Sequence, residues 1–505
     1  MLEKNKFIEN VVCPYNAQTA SEGLPADEAL ARSLVPPGTA ELRDFSYVSS
    51  ELPIFISDKC VGCMACVIEC PDTALLAKVV KEKDLSACPT EQKELYVKTT
   101  KYWTSYEKKG LEPGLFTISI DPTKCKGCGE CVLVCGEHAA LKMVQKDEKL
   151  VEDTKNGLKF FKSLPPTSKE FINEKLLVDF MLSPDALLYT GGAGSCMGCG
   201  EGTALRMMLA ASGFVYGPHS LGIVASTGCN TVFGSTYPYN PFLVSWTNSL
   251  FENSCAVAMG IRARWDQMGL QKKKIWVVGG DGALFDIGFQ SLSRMLMSGM
   301  DINVLVLDTQ VYSNTGGQAS TATFLSQNAK MATHGEYFPG KKEYRKELSN
   351  IALMHAGVFV SQTVCSFPNH FYSAIMQANE YPGPALVNVY APCPPEHGIA
   401  DNAAFDQSKL AVMSRTFPLM VYDPRKGSRF KERLSLKGNP HADQDWYHHP
   451  TTKEAVDFIS FARTEGRFAK QFDKAGTPSL VLQKAQAERL ENWHLLQELA
   501  GLAGR

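Results

Sequence analysis

The chain has 505 residues, too many for a single hydrophobic core, so two or three domains are expected. Hydrophobic residues account for 44% of it, which excludes a disordered or low-complexity protein. The formal net charge of -2 at pH 7 gives no sign of a polyelectrolyte surface for nucleic acid or an anionic membrane, and neither is expected as a partner.

The N-terminal segment 1–50 is expected to be an extension ahead of the first domain. Its opening, MLEKNKFIENVVCPYN, lacks the basic and apolar regions of a secretory signal. Nowhere does an apolar run approach the roughly 18 residues of a membrane helix. We therefore expect a cytoplasmic protein, and in that reducing compartment its 16 cysteines indicate metal ligands rather than disulfides.

Two cysteine motifs of identical spacing lie in segment 51–150, which is predicted to be a ferredoxin-like α+β domain. Both CVGCMACVIEC and CKGCGECVLVC have the form C-x2-C-x2-C-x3-C, the pattern of bacterial two-cluster ferredoxins. In that pattern the fourth cysteine of each run binds the other cluster. One [4Fe-4S] cluster is therefore assigned to Cys60, Cys63, Cys66 and Cys135, and the second to Cys125, Cys128, Cys131 and Cys70.

Two structural zinc sites are the alternative for these eight cysteines, and the repeated spacing argues against it. The second motif departs from the ferredoxin pattern because Gly136, not proline, follows its last cysteine. The insert between the motifs contains Cys88, which is expected to be a free thiol. Two such clusters would form an electron wire, and its electron source must lie elsewhere in the protein.

Segment 151–186 is expected to be a linker, and beyond it the sequence alternates between strands and helices. Short β-branched runs such as KKIWVVGG, INVLVLD and PALVNVY are separated by amphipathic stretches such as FDIGFQSLSRMLMSG. This alternation predicts an α/β domain with a parallel sheet over residues 187–430. Segment 431–505 is expected to be a C-terminal extension, with AQAERLENWHLLQEL forming a surface or interface helix.

Polar residues follow two of the predicted strands, at the sheet edge where parallel sheets bind ligands. VVGGDGALFDIGF places Asp281 between glycines, where a strand ends and a helix begins to attract anionic oxygen. The next strand ends in DTQVYSNTGGQ. A lone GDG would most often be a turn, but together the two loops form a thiamine diphosphate fingerprint. The predicted Mg²⁺ ligands are Asp281, Thr309, the Val311 carbonyl and Asn314, completed by two phosphate oxygens.

At this point the sequence resembles the pyruvate:ferredoxin oxidoreductases and related 2-oxoacid oxidoreductases. The segment from GDGALFDIGF to SNTGGQAS is similar to the family's thiamine-binding segment. GSCMGCGE, STGCNTVFG, TNSLFE and YAPC resemble further family blocks in the same order. The resemblance covers about residues 35–430, and it implies that Asn314 lies near the substrate as a catalytic residue. The cofactor contacts it implies in the two loops are Gly280, Asp281, Gly282, Ala283, Thr309, Val311 and Asn314.

GSCMGCGEG contains Cys196 and Cys199, which are half of a further metal site. Of the cysteines downstream, Cys255 and Cys365 fit buried structural positions. The other two, Cys229 and Cys393, follow strands at loops where parallel-sheet ligands gather, and the family resemblance picks the same pair. A third [4Fe-4S] cluster is expected on Cys196, Cys199, Cys229 and Cys393, with a zinc site on the same thiolates as the alternative.

Glu201 lies two residues after Cys199, and two roles are open to it. It could place a carboxylate in the first turn of the helix EGTALRMMLAASG, where the helix dipole favours negative charge. The resemblance implies instead that Glu201 and Cys229 contact thiamine diphosphate. On that reading the third cluster lies beside the cofactor.

The resemblance also implies partners, because single-chain members of the family carry further domains ahead of the ferredoxin part. Partner subunits with the thiamine-pyrimidine, coenzyme A-binding and gamma-type domains are expected, assembled as a dimer of such heteromers. Coenzyme A would bind mainly to a partner, and ferredoxin or flavodoxin would accept the electrons. The implied reaction is the reversible, coenzyme A-dependent oxidative decarboxylation of pyruvate to acetyl-CoA and CO2.

Two alternative functions remain open. DTQVYSNTGGQAS resembles the pyruvate enzymes more than the 2-oxoglutarate enzymes, but another 2-oxoacid such as 2-oxoglutarate is the alternative substrate. The second alternative is an electron-transfer subunit without thiamine chemistry of its own. The intact set of Asp281, Thr309 and Asn314 argues against it.

Overall fold

The structure, a computed structural model, describes residues 3–333 and 340–502, and the chain divides into two units. The first unit comprises Met1–Gly198, Leu205–His219 and Val232–Ser245. The second comprises Cys199–Ala204, Ser220–Thr231 and Trp246–Arg505. In the sequence, the first boundary between the two units therefore falls within GSCMGCGEG, between Gly198 and Cys199.

Two antiparallel strand pairs form the framework of the first unit. Strand β1 (Glu51–Phe55) pairs with β4 (Leu141–Gln145), and β2 (Leu75–Val80) pairs with β3 (Leu115–Ile120). The second half of each cysteine motif forms a short helix, α1 (Ala65–Glu69) in the first motif and α2 (Glu130–Cys135) in the second. This is the predicted α+β arrangement of a two-cluster ferredoxin.

The segment expected to be a linker begins inside a regular helix, α3 (Glu148–Ser163). Asp147 caps this helix by accepting a 2.7 Å hydrogen bond from the Leu150 amide, and such capping favours helix initiation. The buried Phe161 anchors its end, where the Lys78 ammonium donates to the Phe161 carbonyl at 2.7 Å. The first part of segment 151–186 is thus packed structure rather than a loose connection.

A mostly parallel sheet organises the second unit, and it confirms the predicted α/β fold. In the described residues it has eight strands in the order β12-β11-β9-β10-β8-β7-β5-β6. Strands β5, β7, β8, β10 and β9 run parallel, and β11 and β12 add an antiparallel edge. Their bounds are β5 Leu221–Ser226, β6 Ser245–Ser249, β7 Lys274–Gly280, β8 Asn303–Asp308, β9 Phe359–Val364, β10 Ala385–Tyr390, β11 Met420–Tyr422 and β12 Leu434–Ser435.

Helices alternate with these strands. The longer ones are α4 Gly200–Tyr216, which runs from the second unit into the first, α5 Cys229–Gly234, α6 Ser254–Gln267, α7 Phe289–Leu296, α8 Leu348–Leu353, α9 Pro368–Glu380, α10 Ala404–Met413, α11 Phe458–Ala462 and α12 Leu480–Leu499. A small antiparallel pair, β13 (Tyr447–His448) and β14 (Ala455–Val456), lies beyond the sheet in sequence. Shorter helices of three or four residues span Lys4–Phe7, Cys13–Asn16, Glu28–Ala31, Thr90–Lys93, Ser105–Glu107, Leu177–Phe180, Pro394–His397 and Phe430–Arg433.

The core of the second unit includes the segment that was expected to be a C-terminal extension. Helix α12 was predicted to lie at a surface or interface, but its Trp493 is 0% exposed and packs in the same cluster as strands β7 and β8. The Trp493 indole donates to the Gln444 carbonyl at 2.9 Å, and the Arg415 guanidinium lies 4.5 Å from the ring centre. One face of the helix is therefore core.

Strands β5, β8, β9 and β10 are buried along their whole length, as expected for central parallel strands covered on both faces. No helix between residues 3 and 333 or between 340 and 502 combines the length and apolarity needed to cross a bilayer. The carboxyl ends of β7 and β8 carry the two loops in which the diphosphate site is predicted.

Candidate functional site

The structure gathers the eight motif cysteines of the first unit into two sets of four. One cavity is lined by Cys60, Cys63, Cys66 and Cys135. A second cavity is lined by Cys125, Cys128, Cys131 and Cys70. Each cavity thus takes three cysteines from one motif and the fourth from the other, which is the exchange that ferredoxin spacing predicts.

These thiols surround spaces rather than single points. Within the described part of the chain, no three histidine, cysteine, aspartate or glutamate side chains converge closely enough to hold one metal ion. Burial raises the pKa of the Cys60 thiol to about 11 and that of Cys125 to about 12, so assembly of a cluster on the thiolates must release protons.

A single cavity of about 200 Å³ in the second unit brings the predicted cofactor residues together. All nine of them line it: Glu201, Cys229, Gly280, Asp281, Gly282, Ala283, Thr309, Val311 and Asn314. They come from the starts of α4 and α5, from the last residue of β7 and from the loops after β7 and β8. The parallel sheet is what makes these distant segments neighbours.

Asp281 is 1% exposed and has oxygen partners on both sides of its carboxylate. The Thr309 hydroxyl lies 3.1 Å from Asp281 Oδ1 and also 3.1 Å from the Val311 carbonyl oxygen. Ser320 donates its hydroxyl hydrogen bond to the other carboxylate oxygen. Burial and the neighbouring Asp308 carboxylate both raise the pKa of Asp281, which is the electrostatic setting that a bound cation would relieve. A carboxylate, a hydroxyl and a carbonyl clustered in this way fit Mg²⁺.

Gly282 allows the close packing of the two loops. A Cβ atom at this position would lie 2.4 Å from the Tyr312 ring, so no other residue fits without displacing it. The Tyr312 hydroxyl in turn donates to Asp286 at 2.7 Å and ties the second loop to the first. Gly282 therefore contributes to the shape of the cavity, and it also lets a ligand approach the backbone closely.

Sequence reasoning missed several residues of this site. Thr227, Gly228, Phe251, Ile287, Tyr312, Ser313 and Thr315 also line the cavity. Phe251 and Ser320 do lie in the quoted segments TNSLFE and SNTGGQAS, but their residue types alone suggested no role. Only the folded chain places them at the site.

Glu201 is 4% exposed, and its Oε2 atom is buried without a hydrogen-bond partner. Burial, assisted by the Asp281 carboxylate, raises the pKa of Glu201 to about 8. At neutral pH this side chain is therefore largely a carboxylic acid, able to donate a hydrogen bond into the cavity. Because Glu201 also lines the cavity, this partnerless atom favours the cofactor role over the capping role.

The cysteines proposed for the third cluster are distributed over both units. Cys196 belongs to the first unit, whereas Cys199, Cys229 and Cys393 belong to the second. Within the second unit, the Gly200 amide donates to the Pro392 carbonyl at 3.0 Å, which joins the residues that follow Cys199 and precede Cys393. Cys229 lines the cofactor cavity. The other two candidates, Cys255 and Cys365, are buried as expected of structural residues.

His397, which the sequence did not suggest, connects the Cys393 segment to the predicted Mg²⁺ site. The ring is 0% exposed, and its Nε2 lies 2.8 Å from the Thr309 carbonyl oxygen. Nδ1 accepts a 3.4 Å hydrogen bond from the Cys393 amide. Burial lowers the pKa of His397 well below its usual range, so a neutral ring with its proton on Nε2 satisfies both bonds.

A chain of buried charges supports the diphosphate loop from the far end of the sequence. Asp308, at the end of β8, forms an ion pair with Arg345, and both side chains are almost fully buried. Arg345 also pairs with Glu347, which pairs with Arg489 of α12 at 2.6 Å. Such buried charges are tolerated only when they are paired. This series of ion pairs therefore couples helix α12 to the diphosphate loop.

Two known protein families match segments of this chain. Residues 226–389 match the family described as thiamine pyrophosphate enzyme, C-terminal TPP binding domain, and residues 59–139 match the 4Fe-4S dicluster domain. These matches confirm thiamine diphosphate and [4Fe-4S] clusters as the predicted classes of cofactor.

Similar curated proteins are longer than this chain. A probable pyruvate-flavodoxin oxidoreductase of Escherichia coli is 29% identical over 82% of this chain and 40% of its own length. The pyruvate:ferredoxin oxidoreductase of Moorella thermoacetica is 27% identical over 98% of this chain and 46% of its own length. The chain therefore spans less than half the length of these relatives.

Among solved structures, the 2-oxoglutarate:ferredoxin oxidoreductase of Magnetococcus marinus is 22% identical over 43% of this chain and 69% of its own, with a TM-score of 0.36. The pairing of a dicluster domain with a thiamine-binding domain, together with the curated relatives, supports the predicted membership of the pyruvate:ferredoxin and 2-oxoacid oxidoreductase family.

Proposed function

We propose that this chain is the thiamine-binding and electron-transfer part, the beta-type subunit, of a 2-oxoacid:ferredoxin oxidoreductase. The proposed reaction is the oxidative decarboxylation of pyruvate with coenzyme A, which gives acetyl-CoA, CO2, one proton and two electrons. The same residues serve the reverse reaction, so the protein would also act as a pyruvate synthase.

The observation that carries this proposal is the convergence of all nine predicted cofactor residues on one cavity. A pure electron carrier would have no need for a buried aspartate flanked by Thr309 and Ser320, nor for the partnerless carboxyl atom of Glu201. These features favour a thiamine site over a degenerate α/β domain.

Bound thiamine diphosphate would supply the carbanion that attacks the keto carbon and the electron sink that decarboxylation requires. Asp281, Thr309, the Val311 carbonyl and Asn314 would hold the Mg²⁺ ion and, through it, the diphosphate. Asn314 would also face the substrate. Glu201 would donate its proton to a polar atom of the cofactor, and the walls of the cavity would exclude water.

Three [4Fe-4S] clusters are proposed as one-electron carriers. Two would occupy the cysteine cavities of the first unit, and the third would bind Cys196, Cys199, Cys229 and Cys393. In support, Cys229 lines the cofactor cavity, and the segments next to Cys199 and Cys393 are hydrogen-bonded to each other.

Pyruvate is the proposed substrate, since the similar curated proteins are named for pyruvate. Their names also mention flavodoxin or ferredoxin, and we propose one of these as the electron acceptor. Partner subunits would provide the thiamine-pyrimidine, coenzyme A-binding and gamma-type domains, in a dimer of heteromers located in the cytoplasm.

The test is to purify the chain anaerobically with whatever proteins accompany it and to measure bound thiamine and 2-oxoacid oxidation. We expect about one thiamine diphosphate per chain and a coenzyme A-dependent reduction of ferredoxin by pyruvate. Faster reduction of ferredoxin with 2-oxoglutarate than with pyruvate would identify 2-oxoglutarate as the substrate. A preparation with full iron content but without thiamine or 2-oxoacid oxidation would overturn the proposed function.

A further inference from the structure

Lys126 is a buried cation inside the second cysteine motif. It lies between Cys125 and Cys128, is 4% exposed, and lines the cavity that these cysteines share with Cys70. Its Nζ atom has four acceptors within 2.9 Å: Asp72 Oδ1 at 2.6 Å, the Ser195 carbonyl at 2.8 Å, the Ala193 carbonyl at 2.9 Å and Ser195 Oγ at 2.9 Å. Three of these four acceptors belong to the segment that leads directly to Cys196.

Other contacts fix the same segment to the same motif. The Thr73 hydroxyl donates to the Tyr189 carbonyl at 2.8 Å, and the Ser195 hydroxyl donates to Asp72 Oδ1 at 3.2 Å. A Cβ atom on Gly191 would lie 2.6 Å from the Asp72 carbonyl oxygen, so the two backbones are in close contact. Within the first unit, residues 189–195 therefore pack on the polypeptide around the second cysteine set.

The charge of Lys126 has an electrostatic consequence. Reduction adds one negative charge to a [4Fe-4S] cluster, and a buried ammonium at the cavity wall stabilises that charge. Asp72 lines the same cavity and has the opposite effect. The 2.6 Å ion pair between them therefore places two opposed influences on one redox centre.

We propose that Lys126 is a positioning residue for electron transfer: it holds the segment that carries Cys196 against the second cluster, and its charge raises that cluster's reduction potential. The inference rests on the proposed function for the identity of the clusters. The step concerned moves one electron from the reduced third cluster to the second, which changes from the 2+ to the 1+ state. No covalent bond forms or breaks.

The experiment is a redox titration of the purified holoprotein, followed by electron paramagnetic resonance. Lys126→Met should weaken electron uptake by the second cluster at least tenfold, which corresponds to a potential lower by about 59 mV. Asp72→Asn should shift the potential in the opposite direction, and Lys126→Arg should stay near the wild type. Lys124→Met is the matched control, because Lys124 is equally buried but does not line the cavity.

The positioning role has a separate spectroscopic readout. In the fully reduced protein, the magnetic interaction between the second and third clusters should weaken in Lys126→Met and return in Lys126→Arg. Should Lys126→Met fail to retain iron, Asp72→Asn and Ser195→Ala provide the same two readouts. Potentials that shift in the same direction for Lys126→Met and Asp72→Asn, or that do not shift, would overturn the inference.

Failure of the proposed function would look different. A protein without bound thiamine or 2-oxoacid oxidation would contradict that function, yet its second cluster would still show opposite shifts for Lys126→Met and Asp72→Asn. A wild-type protein that lacks the third cluster would overturn the positioning role and leave the effect of the Lys126 charge measurable.

Discussion

Single side chains decide whether the second unit binds its cofactor, and Asp281 offers the most direct test. Asp281→Asn keeps the size of the side chain but removes the only carboxylate among the proposed Mg²⁺ ligands. We expect the dissociation constant for thiamine diphosphate with Mg²⁺ to rise at least tenfold, which is about 1.4 kcal/mol, with unchanged iron content. Titration calorimetry on the purified complex measures the affinity.

Asp301→Asn is the control for that substitution. Asp301 lies just before the amino end of β8, whereas the proposed metal site is at the carboxyl ends of the strands. It pairs with Lys274 at 2.7 Å. Its loss should leave the affinity for the cofactor unchanged. Full thiamine binding by Asp281→Asn would show that the proposed metal site is wrong.

A second residue-scale prediction concerns acid stability. Burial lowers the pKa of His370 to about 4, below the value of 6.5 expected in an unfolded chain. The unfolded state therefore binds more protons than the folded state between these values, and stability falls as the pH drops below 6.5. The contribution of His370 should change by up to about 1.4 kcal/mol per pH unit in this window.

Denaturant unfolding from pH 7 to pH 5 measures this effect. His370→Asn should reduce the slope of the unfolding free energy against pH, whatever its absolute stability. His355→Asn, at a half-buried histidine, is the comparison. An unchanged slope in His370→Asn would mean that another group controls acid stability.

At this scale the sequence could predict residues that occur in a local pattern. The loops holding Asp281 and Asn314 each follow a strand, so their place at the sheet edge could be deduced. Ser320 and His397 could not be predicted, because they contact Asp281 and Thr309 only after distant loops have packed together. Lys126 stood within a predicted motif, but only its folded partners reveal a role.

At the scale of secondary structure elements, helix α12 is part of the core of the second unit. Trp493→Ala should lower the unfolding free energy by roughly 3–5 kcal/mol, the usual cost of emptying a buried aromatic position. Leu480→Ala, at an 82% exposed position of the same helix, should change it by less than about 0.5 kcal/mol. Urea unfolding followed by circular dichroism distinguishes the two, and equal effects would mean that the helix does not support the core.

The sequence could predict the central strands because strands buried on both faces are continuous apolar runs. It could not predict the packing of α12, because AQAERLENWHLLQEL has enough charged residues to resemble a surface helix. Arg489 is one of those charges, and it is buried only because Glu347 and Glu488 neutralise it. Residue composition does not contain that information.

At the scale of the whole molecule, the iron content tests whether the chain binds a third cluster. Three [4Fe-4S] clusters require about twelve irons per chain. Cys393→Ser should reduce this number to about eight and should stop electron flow from 2-oxoacid, while both first-unit clusters keep their spectra. Cys365→Ser is the control at a buried cysteine outside the proposed ligand set, and an unchanged iron content in Cys393→Ser would show that the wrong cysteine was chosen.

The family and both domains could be predicted from motifs because metal and diphosphate sites require fixed residue types at fixed spacings. Substrate choice could not be predicted in the same way. Substrate choice also depends on segments that contain no such motif. In addition, this chain covers less than half the length of its curated relatives.

The ion pairs that run from Asp308 through Arg345 and Glu347 to Arg489 also constrain when the protein can mature. A ribosome makes Asp308, which the diphosphate loop follows, about 180 residues before it makes Arg489 of α12. Until Arg489 has emerged and docked, the acidic groups behind that loop lack one of their cations. Thiamine diphosphate would therefore be acquired after translation has passed this helix, and a nascent chain stalled before it would accumulate without the cofactor.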